Sequence, residues 1–449
     1  MPAFSKERLR LSLKALTGGE KYRYSRPVEG NFNCLAPGEF DWWKYKYYIR
    51  QIEKAEKGKG IETFFKGQDL SFAGEEAHGE SRFVLTAGGD LLPGSEITPD
   101  ITGHLWDDVS DFYFNADTVY ANLEAPFASS HPAGNAPKSG IRGAPSLNGT
   151  AEMFERFVNG GKGISFFSTA NNHCMDAGEA GLRETLDFLD GRGYPHVGTA
   201  RTPKERDDIP ILEKNGVKAA FVAYTFSLNG KTVPEGKEYL TNYIRLNKPD
   251  ADISLIKKHV LSARRRGADI VVACLHWSLE FEAYPTENVI LMGHRVLEET
   301  GADVILGNHA HVIQPLEKYH FTDPVSGEEK DGLIAYSLGN LVSDFNTKDC
   351  RISLLLKAEF DKGICGGRER TVIGSLRLKP VYTYKQYGGG RCTDFRLLDF
   401  LKLTGQLRAG VNRFGIGKSE KKEIFRLEKL YNKLLPEKYD NFTEKVTAQ

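Results

Sequence analysis

From Arg82 onward, short runs of apolar, β-branched and aromatic residues recur along the chain: RFVLTAGG, TVYANLE, ISFFSTANNH, VKAAFVAYT, DIVVACLHW, DVILGNHAH and LIAYSLGN. Runs of this length with no polar alternation predict strands buried on both faces. Helical patterns separate several of them. Leu182, Leu186 and Leu189 are spaced four and three apart, and Ile290, Leu291, His294 and Leu297 form a second stripe. Strands alternating with helices predict an α/β fold. After Asn340, ISLLLKAEF and VIGSLRLKPVYTY follow one another with no long helix between them, which predicts antiparallel strands completing a sheet. Ile424, Leu427, Leu430, Tyr431 and Leu434 then predict a helix from Lys418, ended by Pro436. Before Arg82 the texture is mixed: EFDWWKYKYYIRQIEKAEKGKG puts aromatics ahead of a charged helical stretch. The expected organisation is a partly helical extension over 1–80, an α/β domain over 81–400 and a helical tail over 401–449.

Composition narrows the function classes. Lys plus Arg and Asp plus Glu number 60 each, so bulk charge gives no reason to expect nucleic acid as a partner. No window approaches the roughly 18 apolar residues of a membrane span, and no apolar leader follows Met1. The six cysteines are scattered, with no CxxC pair. Together these features lead to the expectation of a cytoplasmic protein with reduced thiols. Nothing in the sequence specifies an oligomeric state.

In open α/β sheets, ligands bind beyond the carboxyl ends of the strands. The residues there are Asp90; Asn122 and Glu124; Asn171, Asn172, His173 and Asp176; His276 and Glu280; and His309 and His311. Four of the eleven histidines fall at three such ends, and neither GxGxxG nor GxxxxGK[ST] is present. Taken singly, Asp90 reads as a turn residue, Asn122 and Glu124 as caps, Asn171 and Asn172 as loop residues, and His276 as a core histidine. Taken together they read as nitrogen and oxygen ligands for one or two ions of Mn, Fe or Zn. His-x-His in an extended segment would point both rings to one side. Two metals about 4 Å apart suit phosphoryl transfer. In that reading Asn172 is a ligand, His173 a proton donor to the leaving group and Asp176 its orienting partner. His294 lies inside a predicted helix and is left out, as are Cys174 and Cys274, which flank the site without a second thiol nearby in sequence.

The segments GGDLLPG, YANLEAPF, ANNHCMDAGEAGLRETLDFL, HWSLEFEAYP, GADVILGNHAHVIQPLE and YSLGNLV, in this order and spacing, resemble the CapA family. These are the poly-γ-glutamate capsule biosynthesis proteins of the calcineurin-like metallophosphoesterase superfamily. The resemblance runs over about residues 82 to 345. It implies a four-layer α/β/β/α sandwich with a metal centre at the sheet edges. It places Asp90, Glu124, Asn172, His173, His276, His309 and His311 at metal or catalytic positions. Asp176 and Glu280, expected with His173 to form the catalytic group, fall with Ser337, Gly339 and Asn340 at other characteristic ones. The sequence departs from the wider superfamily at Leu92, where a His is usual, at Glu124, where the bridging ligand is usually Asp, and at Asn308, where the family commonly has His.

Two functions are then expected to compete. One is metal-dependent hydrolysis or transfer at a phosphate ester or γ-glutamyl substrate. The other is a non-catalytic accessory role, binding an acidic polymer or partner through the same cleft. The aromatics Trp42, Trp43, Tyr45, Tyr47 and Tyr48 are too apolar to face water together, so the extension is expected to dock, with the cleft rim as one candidate place.

Overall fold

The computed structural model describes residues 2–30, 37–72, 78–134, 145–345, 347–365 and 367–435. Cys34 and Pro436 lie outside them. Helices α1 (Pro2–Thr17), α2 (Pro37–Tyr48) and α3 (Ile61–Gly67) precede the first strand. The chain then lays down β1 (His78–Leu91), β2 (Thr118–Leu123), β3 (Phe166–Ser168) and β4 (His196–Val197) as four parallel neighbours. Helices α4 (Ser110–Tyr113), α5 (Ala151–Phe157) and α6 (Gly178–Asp190) lie in their connections.

After α7 (Pro203–Asp207) come β5 (Ile211–Lys214), β6 (Val217–Thr225), β7 (Ile270–His276), β8 (Val304–Asn308), β9 (Leu316–Thr322) and β10 (Glu329–Ala335), with α8 (Ser254–Arg265) and α9 (Glu287–Thr300) as crossovers. These strands form a second sheet in the order β5-β6-β7-β8-β10-β9. The chain returns to the first sheet with β11 (Asn340–Val342), β12 (Ile352–Cys365), β13 (Arg368–Gly388) and β14 (Arg391–Asp399), then closes with α10 (Phe400–Arg408) and α11 (Lys418–Leu434). The first sheet reads β14-β13-β12-β1-β2-β3-β4, with β11 also paired to β1. As their sequence pattern predicts, β12 and β13 are antiparallel.

The side chains fix the layering. Phe83, Leu85, Ala87 and Tyr120 of the first sheet pack against the second, where Phe166 and Phe221 meet ring to ring at 4.3 Å. Val119, Ala121 and Leu123 point the other way, into a core shared with Phe154 and Phe157 of α5. On the far side, Ile256, Val260 and Ala263 of α8 and Val289, Val296 and Leu297 of α9 cover β6 and β7. The result is an α/β/β/α sandwich. Strands β6 and β7 read as unbroken apolar runs because both of their faces are covered.

Two details differ from the sequence pattern. On α9 the buried face runs through Val289, Ile290, Val296 and Leu297, whereas Leu291 is 46% exposed. His294 bonds Glu317 and stacks on Tyr319, so it has no part in the site. The charged stretch after Tyr48 is not helical. Ile52 instead forms a parallel bridge with Glu282, and Gly58 and Gly60 take left-handed backbone. Among the described residues no helix is long and apolar enough to cross a membrane. Of the six cysteines, Cys174, Cys274, Cys350, Cys365 and Cys392 are free thiols.

Candidate metal centre

Parallel strands of both sheets end at the same edge of the sandwich. Register places Asp90 of β1 beside Asn122 of β2 and Asn340 of β11, and His276 of β7 beside Asn308 of β8. The edge is backbone-tight. A Cβ on Gly89 would lie 1.8 Å from the carbonyl oxygen of Gly339, and one on Gly307 2.0 Å from that of Tyr336. Asp90, Glu124, Asn172, His173, His276, His309 and His311 are each at most 5% exposed.

Two sets of metal-ligating atoms converge here, each set lying within 4.8 Å. One is Glu124, His276 and His309; the other is Asp90, Glu124 and His311. Glu124 belongs to both. Asn172 joins the first set through its Oδ1, 2.9 Å from His276 Nε2. His309 Nδ1 also faces His276 Nε2, at 3.2 Å. Both Glu124 oxygens and His309 Nε2 are buried with no hydrogen-bond partner.

The electrostatics fit a cation. Burial, and then the neighbouring Asp90, push the Glu124 carboxyl far above its usual range, so an ionised Glu124 needs a positive charge beside it. Burial pulls His276 down to about 3 and His309 well below its ordinary value, leaving both imidazoles neutral, the form that binds metal. Burial opposes ionisation of Asp90, but hydrogen bonds from His311 and Asn122 outweigh it and hold the carboxyl below its usual value.

Around the two sets lies a supporting shell. Asn122 donates to Asp90 Oδ1 (2.8 Å) and accepts from Ser168 Oγ (2.9 Å). His311 Nδ1 meets Asn340 Oδ1 at 2.8 Å, which turns Nε2 toward Glu124 at 3.8 Å. Such partners set the tautomer and orientation of metal-binding histidines. His309 and His311 sit beyond the end of β8 with φ of 87° and 58°. The extended His-x-His expected from sequence is therefore wrong. The rings converge because both residues take left-handed backbone, a conformation costing about 1–3 kcal/mol each for non-glycine residues.

Within the loop after β3 the two asparagines divide the work. Asn171 holds the loop, donating to the Leu123 carbonyl (2.8 Å) and accepting from the His173 amide (3.1 Å), while Asn172 faces the ligands. His173 Nδ1 meets Asp176 Oδ2 at 2.7 Å, and Asp176 is also held by the Leu147 amide and by Lys231. Burial opposes the Asp176 charge, yet the charge of His173 and these bonds keep its carboxyl below the usual range. Glu280 lies at the margin, 3.9 Å from His311 Nε2 and bonded at 2.5 Å by the indole N–H of Trp43.

Sequence reasoning passed over one participant. Asn229, with φ of 52°, spans from Asn172 Nδ2 (3.3 Å) to His173 Nε2 (3.4 Å). It follows the run VKAAFVAYT, and the strand-end rule applied there would have reached it. Trp43, expected from the sequence to dock with its aromatic neighbours and with the cleft rim as one candidate place, does lie at this margin; only its pairing with Glu280, 237 residues away, had no local signal.

The chain is 26% identical to the Bacillus anthracis capsule biosynthesis protein CapA over 269 residues, which is 59% of this chain and 60% of that protein's length. It is 28% identical to the Bacillus subtilis PGA biosynthesis protein CapA over 310 residues, 67% of this chain and 76% of that one. The crystal structure of the calcineurin-like phosphoesterase YfkN from Bacillus subtilis aligns over 78% of this chain and 99% of that chain at 11% identity, with a TM-score of 0.35, too low to support any inference. The family pattern of the bacterial capsule synthesis protein PGA_cap matches residues 84–345. With that match covering more than half of its length and ending at Phe345, just past the last residues of the site, the chain belongs to the bacterial capsule synthesis protein family PGA_cap.

Proposed function

We propose that this protein is a metal-dependent hydrolase or transferase acting on a phosphate ester or a γ-glutamyl substrate in capsule or poly-γ-glutamate biosynthesis. The observation that carries the reading is Glu124, whose two partnerless buried oxygens are shared between two ligand sets. Asp90, Glu124, Asn172, His276, His309 and His311 would hold one or two ions of Mn, Fe or Zn. The bound metal supplies Lewis acidity toward an oxyanion and a nucleophile at neutral pH. Asn122 and Asn340 orient the ligands. His173, held through Nδ1 by Asp176, presents Nε2 on the Asn229 side and donates its proton to the leaving group. Lys231 offsets part of the Asp176 charge, keeping that carboxylate an orienting partner.

A second reading, in which the cleft binds an acidic polymer or partner without turnover, is favoured by closure: the ligand side chains are almost fully covered, so a substrate must move something to reach them. One experiment separates the two. Full-length protein produced in metal-replete medium is analysed for metal and assayed with phosphomonoesters, phosphodiesters and γ-glutamyl peptides. At least one equivalent of metal with turnover of any ester or γ-glutamyl bond supports the enzyme. Metal without turnover supports the accessory role. Less than about half an equivalent of Mn, Fe or Zn, against the two that a full two-metal site takes, overturns the metal reading.

A further inference from the structure

We propose that Glu280 is a further metal ligand, presented by Trp43 of α2, so that the N-terminal segment completes the metal centre. This rests on the metal reading above and deepens it.

The two ligand sets are unequal. The first offers four groups: Glu124, His276, His309 and the Asn172 amide oxygen. The second offers three: Asp90, Glu124 and His311. Four protein groups or more is the usual complement for a closed divalent site. Glu280 stands where the second set is short. Its two oxygens face different ways. Oε2 accepts the Trp43 indole N–H at 2.5 Å, and Oε1 points at His311 Nε2 from 3.9 Å. That nitrogen is the one His311 leaves for a metal, because its Nδ1 is taken by Asn340. A separation of 3.9 Å is too long for a hydrogen bond, yet it suits two groups flanking one cation. Glu124 Oε1, itself without a partner, lies 3.8 Å from the same nitrogen.

The local backbone is shaped for this placement. Ser278 and Phe281, on either side of Glu280, have φ of 70° and 58°. Strained residues of this kind persist where the surroundings enforce them, and they cluster at functional sites. Here the surroundings are the extension. Trp43 stacks on Tyr47 at 5.3 Å and meets Phe281 edge-on at 6.0 Å, Ile52 donates to the Phe281 carbonyl at 3.0 Å, and Lys46 pairs with Glu282 at 2.8 Å. The indole bond fixes one carboxylate oxygen and leaves the other for the cation, which is how outer-shell donors orient metal-binding carboxylates. Trp43 is thus a positioning residue acting through Glu280.

The test is Mn2+ binding to the full-length protein after chelator treatment, by calorimetric titration and equilibrium dialysis. The set is wild type, Glu280→Gln, Trp43→Phe, and His276→Ala as the control that disables the first set. Wild type should take two ions. Glu280→Gln should weaken one ion at least about tenfold and leave the other within about twofold. Trp43→Phe should weaken that same ion by about 10- to 100-fold, the usual effect of losing an outer-shell partner. Glu280→Asp should recover part of the loss. The metal-free melts of Glu280→Gln and wild type should coincide; a melt lowered by several degrees, with both ions weakened alike, assigns Glu280 a structural role and overturns the proposal. Unchanged Mn2+ uptake in Glu280→Gln, with wild type binding normally, overturns the Glu280 assignment alone. No uptake by wild type removes the metal reading and this inference with it.

Discussion

Replacing Lys46 by alanine should cost this protein about 3–5 kcal/mol, the penalty for leaving one member of a buried ion pair without its partner. Lys46 Nζ lies 2.8 Å from Glu282 Oε1, and the two side chains are 2% and 0% exposed. The ammonium also sits 3.6 Å from the centre of the Trp42 ring. Burial pulls the Lys46 pKa down, and Glu282 opposes that shift. Removing the lysine strips Glu282 of its ion-pair partner while its second oxygen already lacks a hydrogen bond. Two variants separate charge from packing. Lys46→Met keeps the stem under Trp42 and should fall near the alanine value, whereas Lys46→Met with Glu282→Gln removes both charges and should recover most of the loss. The double-mutant cycle should return a coupling of at least about 2 kcal/mol. Urea melts followed by tryptophan fluorescence suit the measurement, since Trp42 and Trp43 are two of the four tryptophans. A separate early transition in Lys46→Ala would locate the loss in the extension. If Lys46→Ala lies within about 1 kcal/mol of wild type, the ion pair does not hold α2 on the edge that carries the candidate site and the reasoning fails.

Further outcomes are expected. His173→Ala should keep its metal and lose about 10²- to 10⁴-fold in turnover, the usual contribution of a general acid, whereas His309→Ala should lose metal and turnover together; elemental analysis beside kinetics distinguishes them. Saturating Mn2+ should raise the melting temperature of the chelator-treated protein, by the equivalent of about 2.7 kcal/mol at a hundred times the dissociation constant; no shift would count against a folded-state metal site. His259, buried between Tyr224 and Asp207, has its pKa lowered by burial to about 4. A depressed histidine is neutral in the fold and protonates first in the unfolded chain. Its contribution is therefore whole above pH 6.5 and declines from there to pH 4, by up to about 3 kcal/mol. His259→Gln should flatten the stability profile across that window relative to wild type. Burial pushes Cys174 and Cys274 up to about 11 and about 12, so a thiol reagent at neutral pH should leave both unmodified in the folded protein and reach all six cysteines once it is denatured.

How far the sequence could be read follows from where each signal resides. The runs that became β6, β7 and β8 were legible because two covered faces demand unbroken apolar stretches, and the candidate ligands could be picked out because each follows such a run closely. Strands β4 and β5 were not. The first has two residues, and the second carries an exposed Glu213 and Lys214 at the sheet edge, so neither offers a hydrophobic period. The geometry of His309 and His311 was missed because composition does not reveal backbone handedness at non-glycine positions. The Trp43–Glu280 and Lys46–Glu282 contacts join residues more than 230 positions apart, and local pattern carries no trace of such pairings.

The glycines behind the candidate ligands bear on how this centre can evolve. Gly89 abuts the Gly339 backbone and Gly307 the Tyr336 backbone, so β1, which carries Asp90, and β8, which leads into His309, have no room to retreat. A change of metal or substrate cannot then be accommodated by sliding a strand end outward. It has to be met by side-chain length. A carboxylate one methylene longer or shorter at a ligand position, as between Glu and Asp at position 124, is the smallest step available. Variation among descendants of this chain should accumulate in side-chain reach at the rim, while the glycines beneath stay fixed; a deep mutational scan would show it as tolerance for acidic exchange at ligand positions and near-complete intolerance at Gly89 and Gly307.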